Sequence, residues 1–341
     1  MAESRGRVWT GIIRVGPGQG DHRVALRAVL SVGVPLFALL LLGRLDIAIY
    51  ASFGAFVALY GRTESPRGRV RMQAGAGGVL LSAMLVGTAL SFFHTPAFGT
   101  VAVIALLAAA VTLFAYRQRW HPPGALFAVF AAGATTSFPA TASTFVTVLL
   151  IGGASVLWSL FVTTAFVLLR RGSWGRPTRS LPPIGAVAWE MTVTVGVATL
   201  LAGVAGLLLV GTHWYWAMVG AVAAVSGAHV TARLIRGAQR LVGTLLGVLI
   251  AAGLLALDLP PWLVIVVAVA MQAGAELFIG RNYGIAMIFV TPLALLMVSL
   301  ASPLHPGLLL RDRVLETVIG VSLGTLVAIV SAGLRRRSAR D

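Results

Sequence analysis

Glu276 is the residue of this chain best placed for proton chemistry, because it lies inside a long apolar stretch at 261–280, five residues before Arg281. A carboxylate within a membrane is costly, so it either pairs with a cation or changes its protonation state during function. The sequence leaves both roles open. One is an ion pair with Arg281 or another arginine, and the other is the uptake and release of a proton during transport.

Arg67 and Arg233 are candidates for binding an anion, because an internal repeat places them at equivalent positions. Residues 50–78 align without gaps with residues 216–244, which lie 166 positions later. Eight of the 29 aligned positions are identical, whereas roughly two or three would be identical by chance. The identical residues of the first copy are Ala51, Gly54, Ala55, Ala58, Gly61, Arg67, Gln73 and Gly77. A guanidinium group can hold a carboxylate through two hydrogen bonds. The alternative is that both are ordinary loop arginines that set the topology.

Arg313 and Glu316 are interpreted as a structural ion pair near the start of the last apolar stretch. They are three positions apart, and side chains at that spacing meet on one face of a helix. Arg281 is assigned the same kind of structural role beside Glu276.

Aromatic side chains concentrate on the apolar stretches that glycine, proline, serine and threonine interrupt. Candidates for contact with a ring-shaped substrate are Tyr50, Phe53, Trp216 and Tyr283, and Thr291 precedes a proline in one of these stretches. Interrupted helices at corresponding places of two halves are typical of a transport path. Close helix packing through small residues explains the same pattern equally well.

Motifs for catalysis or cofactor binding are absent from the sequence. The chain has no lysine, so its glycine-rich stretches cannot form a P-loop. The six histidines lack the spacing of a zinc site, and the absence of cysteine excludes disulfides and thiol chemistry. We therefore expect no enzyme activity, no cofactor and no bound metal.

The composition predicts an all-α polytopic membrane protein. Hydrophobic residues make up 58% of the chain and charged residues 11%, and apolar runs long enough to cross a bilayer recur along it. About 12 transmembrane helices are expected, as two six-helix repeats of the same topology. The expected spans are 28–43, 45–61, 72–93, 98–115, 122–139, 143–169, 187–211, 213–228, 241–258, 261–280, 283–301 and 312–333. The corresponding divisions are a cytoplasmic segment 1–27, repeats 28–169 and 187–333, a cytoplasmic linker 170–186 and a basic tail 334–341.

The arginines determine the expected orientation. All 26 cationic residues are arginine, and with a cytoplasmic N-terminus only Arg44, Arg311 and Arg313 fall on the outer side. This bias follows the positive-inside rule, so both termini of a multi-pass protein of the cell membrane are expected in the cytoplasm. Arginine beside anionic lipid also explains the net charge of +16 without a nucleic acid partner.

Three motifs in the second half resemble the fusaric acid resistance and aromatic acid exporter family. They are Arg240-Leu-Val-Gly243-Thr244-Leu-Leu-Gly247, Arg281-Asn282-Tyr283 with Thr291-Pro292-Leu293-Ala294-Leu295-Leu296, and Arg313-Val-Leu-Glu316-Thr317-Val-Ile-Gly320. The first half lacks all three. The resemblance, which covers nearly the whole chain, implies an inner-membrane efflux protein for aromatic carboxylic acids, similar in fold to the plant aluminium-activated malate channels.

The sequence therefore predicts a secondary exporter of small organic anions, aromatic carboxylates above all, driven by the proton gradient. A passive anion channel is the alternative within transport, and a non-transporting membrane scaffold subunit is the alternative outside it. The expected partners are the lipid bilayer, the organic anion and protons. The sequence leaves open whether the chain also forms a homo-oligomer.

Overall fold

The computed structural model describes residues 13–18, 20–120, 124–169, 184–227, 230–301 and 305–338, and over these ranges the chain is helical without any β-strand. The first six helices are α1 (Asp21–Leu41), α2 (Leu45–Leu59), α3 (Pro66–Phe92), α4 (Ala97–Gln118), α5 (Leu126–Thr136) and α6 (Ala142–Leu169). The next six are α7 (Ala186–Leu209), α8 (Tyr215–Val225), α9 (Val230–Ala256), α10 (Pro261–Phe278), α11 (Tyr283–Ala301) and α12 (Pro306–Ser338). The linker predicted at 170–186 falls mainly outside the described residues.

Helix length separates two classes within these ranges. Nine helices are long and apolar enough to cross a membrane, whereas α2, α5 and α8 are shorter, so the expectation of twelve helices of spanning length is met only in part. α5 and α8 have 11 residues each. That length gives about 16 Å of rise, against a hydrocarbon thickness of about 30 Å. Every residue of α8 is buried, so this short helix lies within protein rather than against lipid.

The turn between α2 and α3 is fixed by specific contacts. Gly61 adopts a left-handed φ of +73°, and the Nε of Arg69 donates to its carbonyl oxygen at 2.9 Å. Ser65 caps α3 by accepting from the amide of Gly68 at 3.3 Å. Pro66 occupies the first position of the helix, where its missing N–H leaves no hydrogen bond unmade. The turn therefore holds the ends of α2 and α3 close together.

Helix packing is reciprocal between the two halves of the chain. α1 packs against α10 and α7 against α4, while α3 packs against α5 and α9 against α11. In the same way, α2 packs against α6 and α8 against α12. If each helix of the first half is replaced by the helix six places later, and the reverse, every one of these pairs is converted into the other pair of its sentence or clause. This pattern supports the two-repeat arrangement, which stays a prediction.

Glycine residues lie where the backbones of packed helices come closest to one another. A Cβ on Gly320 of α12 would lie 2.2 Å from the carbonyl oxygen of Ala217 in α8. A Cβ on Gly54 of α2 would lie 2.4 Å from the carbonyl oxygen of Gly152 in α6. Only a residue without Cβ allows backbones to come this close, so α2 and α8 pack directly against the backbones of their neighbours.

Four helices, α1, α3, α9 and α12, are helical six or more residues before the predicted spans, and α1 and α9 differ the most. α1 begins at Asp21, so the end of the segment 1–27 is helical, and Arg27 is buried. α9 is helical from Val230 rather than from position 241, which brings Arg240 inside the helix. Hydropathy placed both boundaries too late, because arginines near a helix end lower the local apolar content in the same way as loop arginines do.

Candidate anion-binding cavity

A cavity of about 470 Å³ lies between α2 and α5 of the first half and helices of the second half, and its lining divides by chemistry. Phenylalanine side chains of the first half form an apolar wall, and aliphatic side chains of the second half add to the apolar lining. The charged and larger polar side chains, mostly from the second half, form a charged and polar wall of Arg62, Arg236, Arg240, Gln272, Glu276, Tyr283 and Arg313. The cavity therefore offers both aromatic and cationic contacts to a ligand.

The apolar wall consists of four phenylalanines that contact one another. Phe53 and Phe56, three residues apart on α2, have ring centroids 5.7 Å apart in an edge-to-face arrangement. From α5, Phe130 approaches Phe53 at 5.1 Å and Phe127 approaches Phe56 at 5.4 Å. Rings in such arrangements present both faces and edges, so a planar aromatic group can pack among them.

Three arginines of the second half also line the cavity. The Nη1 of Arg240 donates to the hydroxyl of Tyr283 at 2.8 Å, and the guanidinium carbon of Arg236 lies 3.9 Å from the centroid of the same ring. Arg313 lies 5.0 Å from the ring centroid of Trp216. Arg240 is 3% exposed and Arg313 is 2% exposed, so both charges are removed from bulk water.

These guanidinium groups are incompletely satisfied. The Nε atoms of Arg236, Arg240 and Arg313 are buried without a hydrogen-bond partner in the described part of the chain. The ion pairs within 4 Å among the described residues also leave these three arginines out. Glu316, on the same helix as Arg313, directs its Oε2 to the amide of Ala217 at 3.0 Å. Glu316 also acts electrostatically on Arg313 without forming an ion pair within 4 Å. Because a buried charge with an incomplete set of partners is costly, an anionic ligand would supply further partners to these groups.

Glu276 lies at one end of the cavity within a network of charges. Its Oε1 accepts from the amide of Gln272 at 3.4 Å, and its Oε2 lies 3.8 Å from the Nη1 of Arg62. Arg62 also pairs with Asp21 and donates to the backbone carbonyl of Glu276 at 3.0 Å. Arg27 adds a further positive charge to the surroundings of Glu276. The carboxylate is thus held by Arg62 while both residues remain in the cavity lining.

The second half of the chain carries a family signature. Residues 197–327 match the family model of fusaric acid resistance protein-like proteins. The matched segment contains Arg240, Glu276, Tyr283 and Arg313, which are most of the charged and polar wall. The match confirms the resemblance seen in the motifs and suggests membrane transport or export rather than catalysis. No curated protein and no solved structure matches the chain significantly.

Four of the predicted site residues line the cavity, and they are Phe53, Glu276, Tyr283 and Arg313. All except Phe53 belong to the segment that matches the family model. Three other candidates, Tyr50, Trp216 and Thr291, are buried in helix packing and are not part of that lining. Their contact with a substrate stays a prediction. Among the described residues, no group of three or more His, Asp or Glu side chains could hold a metal ion.

Arg67 and Arg233 are not part of the cavity lining either. Arg67 is exposed near the start of α3, whereas Arg233 is buried, with its Nε donating to the carbonyl oxygen of Gly227 at 3.0 Å. In the first half, Arg69 makes the same contact with Gly61. The structural counterpart of Arg233 is therefore Arg69 rather than Arg67. The two differ because the first half has two more residues between this glycine and its arginine, which an alignment without gaps does not take into account. A role of these arginines in anion binding stays a prediction.

The residues assigned to structural ion pairs make other contacts. Arg281 lies beyond the last residue of α10, Phe278, and its Nε donates to the carbonyl oxygen of Gly16 at 2.9 Å. Glu276 lies one turn earlier and contacts Arg62 instead. Arg313 and Glu316 turn to separate partners on α8, the ring of Trp216 and the amide of Ala217, although their spacing would allow a pair.

Sequence reasoning missed Arg62, Arg236 and Gln272 as lining residues and used Arg240 only as part of a family motif. The positive-inside pattern gives no means of separating a buried arginine from a loop arginine. Gln272 did carry a signal, because it precedes Glu276 by four positions in an apolar helix, which places both on one face.

Proposed function

We propose that the chain is a secondary transporter that exports small organic anions, and aromatic carboxylates in particular. The observation that carries the proposal is the presence of incompletely satisfied guanidinium groups and an aromatic wall in one cavity. A ligand with one anionic group and one ring matches both sides at once. The fusaric acid resistance protein-like match supports the same class of function.

The anionic group would bind where Arg240 and Tyr283 meet. The hydroxyl of Tyr283 accepts from Arg240, so its own proton remains available to donate to a ligand oxygen. Arg240 also lines the cavity, so its guanidinium group can supply a further N–H donor to the same ligand. Hydrogen bonds to charged groups contribute roughly 1.5 to 3 kcal/mol each, which is enough to place the carboxylate on this wall.

The ring would bind among the four phenylalanines that line the same cavity. Full burial of a side chain the size of phenylalanine is worth roughly 1.5 to 3 kcal/mol, and favourable ring pairs add roughly 0.5 to 1.5 kcal/mol. The cavity volume of about 470 Å³ lies within the range of small-molecule sites. An aliphatic acid of similar size lacks a ring and cannot make these ring contacts, so aromatic acids should bind more tightly.

Glu276 would connect the proton gradient to the anion. Its carboxylate and that of the ligand are like charges in one cavity, so the protonation state of Glu276 and anion binding are linked. Export on an inward proton gradient requires that the anion leaves and the proton enters in separate steps. The charges that act on Glu276 are Arg62 and Arg27 on one side and Asp21 on the other. An inside-negative potential alone favours anion exit by about 2.3 kcal/mol per 100 mV, so a test must separate potential from pH.

Flux of labelled benzenesulfonate in proteoliposomes tests the proposal, since this ring-bearing anion stays ionised and does not cross membranes as a neutral acid. The membrane potential is held at zero with valinomycin and equal potassium, and a pH gradient is imposed or omitted. Accumulation only with the pH gradient supports the coupled transporter. Equal downhill flux in both conditions indicates a passive channel. No flux above that of protein-free liposomes contradicts transport and leaves the scaffold subunit.

A further inference from the structure

Residues 14–18 form an N-terminal strap that is bound to the turn between α10 and α11. The amide of Gly16 donates to the carbonyl oxygen of Arg281 at 2.9 Å, and the Nε of Arg281 donates back to the carbonyl oxygen of Gly16 at 2.9 Å. The side-chain amide of Asn282 donates to the carbonyl oxygen of Arg14 at 3.1 Å. Three hydrogen bonds therefore fix the strap in one position on the predicted cytoplasmic side.

A second space of about 330 Å³, which is open to the protein surface and is called the inner chamber, lies beside the strap. Arg14 and Gly16 line it from the strap, and Arg281 lines it from the turn. The inner chamber shares part of its lining with the large cavity, namely Arg236, Ile279, Gly280 and Tyr283. The two spaces are therefore neighbours, and Arg236 belongs to both.

The inner chamber is strongly positive. Arg14, Arg236 and Arg281 contribute three guanidinium groups, and no carboxylate of the described residues is part of its lining. Asp21 of α1 lies near the strap but is paired with Arg62. Clustered charges of one sign raise the local concentration of ions of the opposite sign. The chamber thus favours anions immediately beside a cavity that aromatic side chains also line.

We propose that the inner chamber is an entry site, which binds the charged group of a small organic anion before that anion moves past Arg236 into the large cavity. This inference rests on the proposed export function and adds a second binding site to it. The strap contributes Arg14 to that site, so the segment before α1 forms part of the substrate path.

Replacement of Arg14 by Gln tests the entry site, because within the described part of the chain the strap is held through the backbone of residue 14. Initial rates with benzenesulfonate are measured in everted vesicles, which present the cytoplasmic face, and in right-side-out vesicles. We expect the half-saturating concentration to rise about fivefold in everted vesicles, since a partly exposed charge contributes about 1 kcal/mol. The value in right-side-out vesicles should not change, and Arg14→Lys should recover most of the loss.

Arg23→Gln is the matched control, because it removes an exposed arginine of α1 that does not line the chamber. It should leave the half-saturating concentration unchanged at both faces. An unaltered value for Arg14→Gln in everted vesicles, or an equal rise at both faces, overturns the entry site while the export proposal stands. Absence of flux in the unmodified protein contradicts the export proposal, and the entry site with it.

Discussion

Arg240 and Arg313 lie on different helices, α9 and α12, and both carry a charge into the protein interior. Burial of an ion costs several kcal/mol unless partners satisfy it, so folding alone gives no reason to keep them there. Their contacts with Tyr283 and Trp216 use only part of their capacity to donate hydrogen bonds. An anion bound in the cavity would give the remaining donors a partner. Ligand binding is therefore the better explanation for the burial of both arginines.

Arg240→Gln should lower the affinity for benzenesulfonate by about 5- to 150-fold, which corresponds to a loss of roughly 1 to 3 kcal/mol. Because the change removes an incompletely paired buried charge, we expect thermal stability equal to or above that of the unmodified protein. Equilibrium binding and thermal unfolding of purified protein check both expectations. Arg67→Gln, at an exposed position, should change affinity far less. Equal losses for the two variants would favour the entrance pair Arg67 and Arg233 instead.

Glu276→Gln should abolish accumulation driven by a pH gradient while exchange of labelled for unlabelled benzenesulfonate remains measurable. The amide keeps a polar contact with Gln272 but carries no titratable proton. In the unmodified protein, protonation removes a negative charge from the cavity, so anion affinity should rise as pH falls. That dependence should disappear in the variant. If accumulation persists unchanged, Glu276 serves only as the structural partner of Arg62.

Apolar run length predicted the positions of most helices, and the starts of α6, α7 and α11 fall within one residue of expectation. It could not predict how α2, α5 and α8 pack, because short helices that are apolar on every side carry no pattern that selects a neighbour. Phe53 was identified as a candidate, yet only the packing of α2 on α5 brings it together with Phe130. The charged wall also depends on tertiary contacts between α9, α11 and α12, which the sequence does not record.

Gly320→Ala should destabilise the protein by roughly 1 to 3 kcal/mol, because overpacking forces helices apart. The added methyl group would meet the carbonyl oxygen of Ala217, where α8 and α12 touch. Gly253→Ala on α9 is the matched control, since its Cβ would face open space. There, alanine should be neutral or stabilising by up to about 1 kcal/mol through helix propensity. Thermal unfolding compares the two, and equal midpoints would argue against the close α8–α12 contact.

The whole molecule combines reciprocal packing with an unequal cavity. Repeated small residues such as Gly54 and Gly220 lie at helix contacts in both halves, whereas the aromatic wall comes from the first half and the arginines mostly from the second. Contacts between backbones tolerate little change, while side chains around an open space can diverge. This difference explains why glycines of the repeat, such as Gly54 and Gly220, lie at helix contacts, whereas Arg67 and Arg233 are not part of the cavity lining.

Whether α2, α5 and α8 carry the chain across the membrane determines if both halves share one topology. Thr63 precedes α3 and Thr141 follows α5, so α3, α4 and α5 separate the two positions. If α5 completes a crossing, three crossings place these residues on opposite sides of the membrane. If it does not, two crossings place them on the same side. The described residues that flank α5, 124–125 and 137–141, are irregular. Such chain can complete a crossing because helices of both halves pack against α5.

Thr63→Cys should therefore react with a membrane-impermeant maleimide only from the cytoplasm, and Thr141→Cys only from the outside. The chain contains no cysteine of its own, so each variant presents a single reactive thiol. Both positions are exposed, which makes a lack of labelling interpretable as sidedness. Permeabilised cells, in which both variants should react, provide the control. Reaction of both from the same side in intact cells would show that α5 does not cross, and the twelve-crossing arrangement with two equal repeats would be wrong.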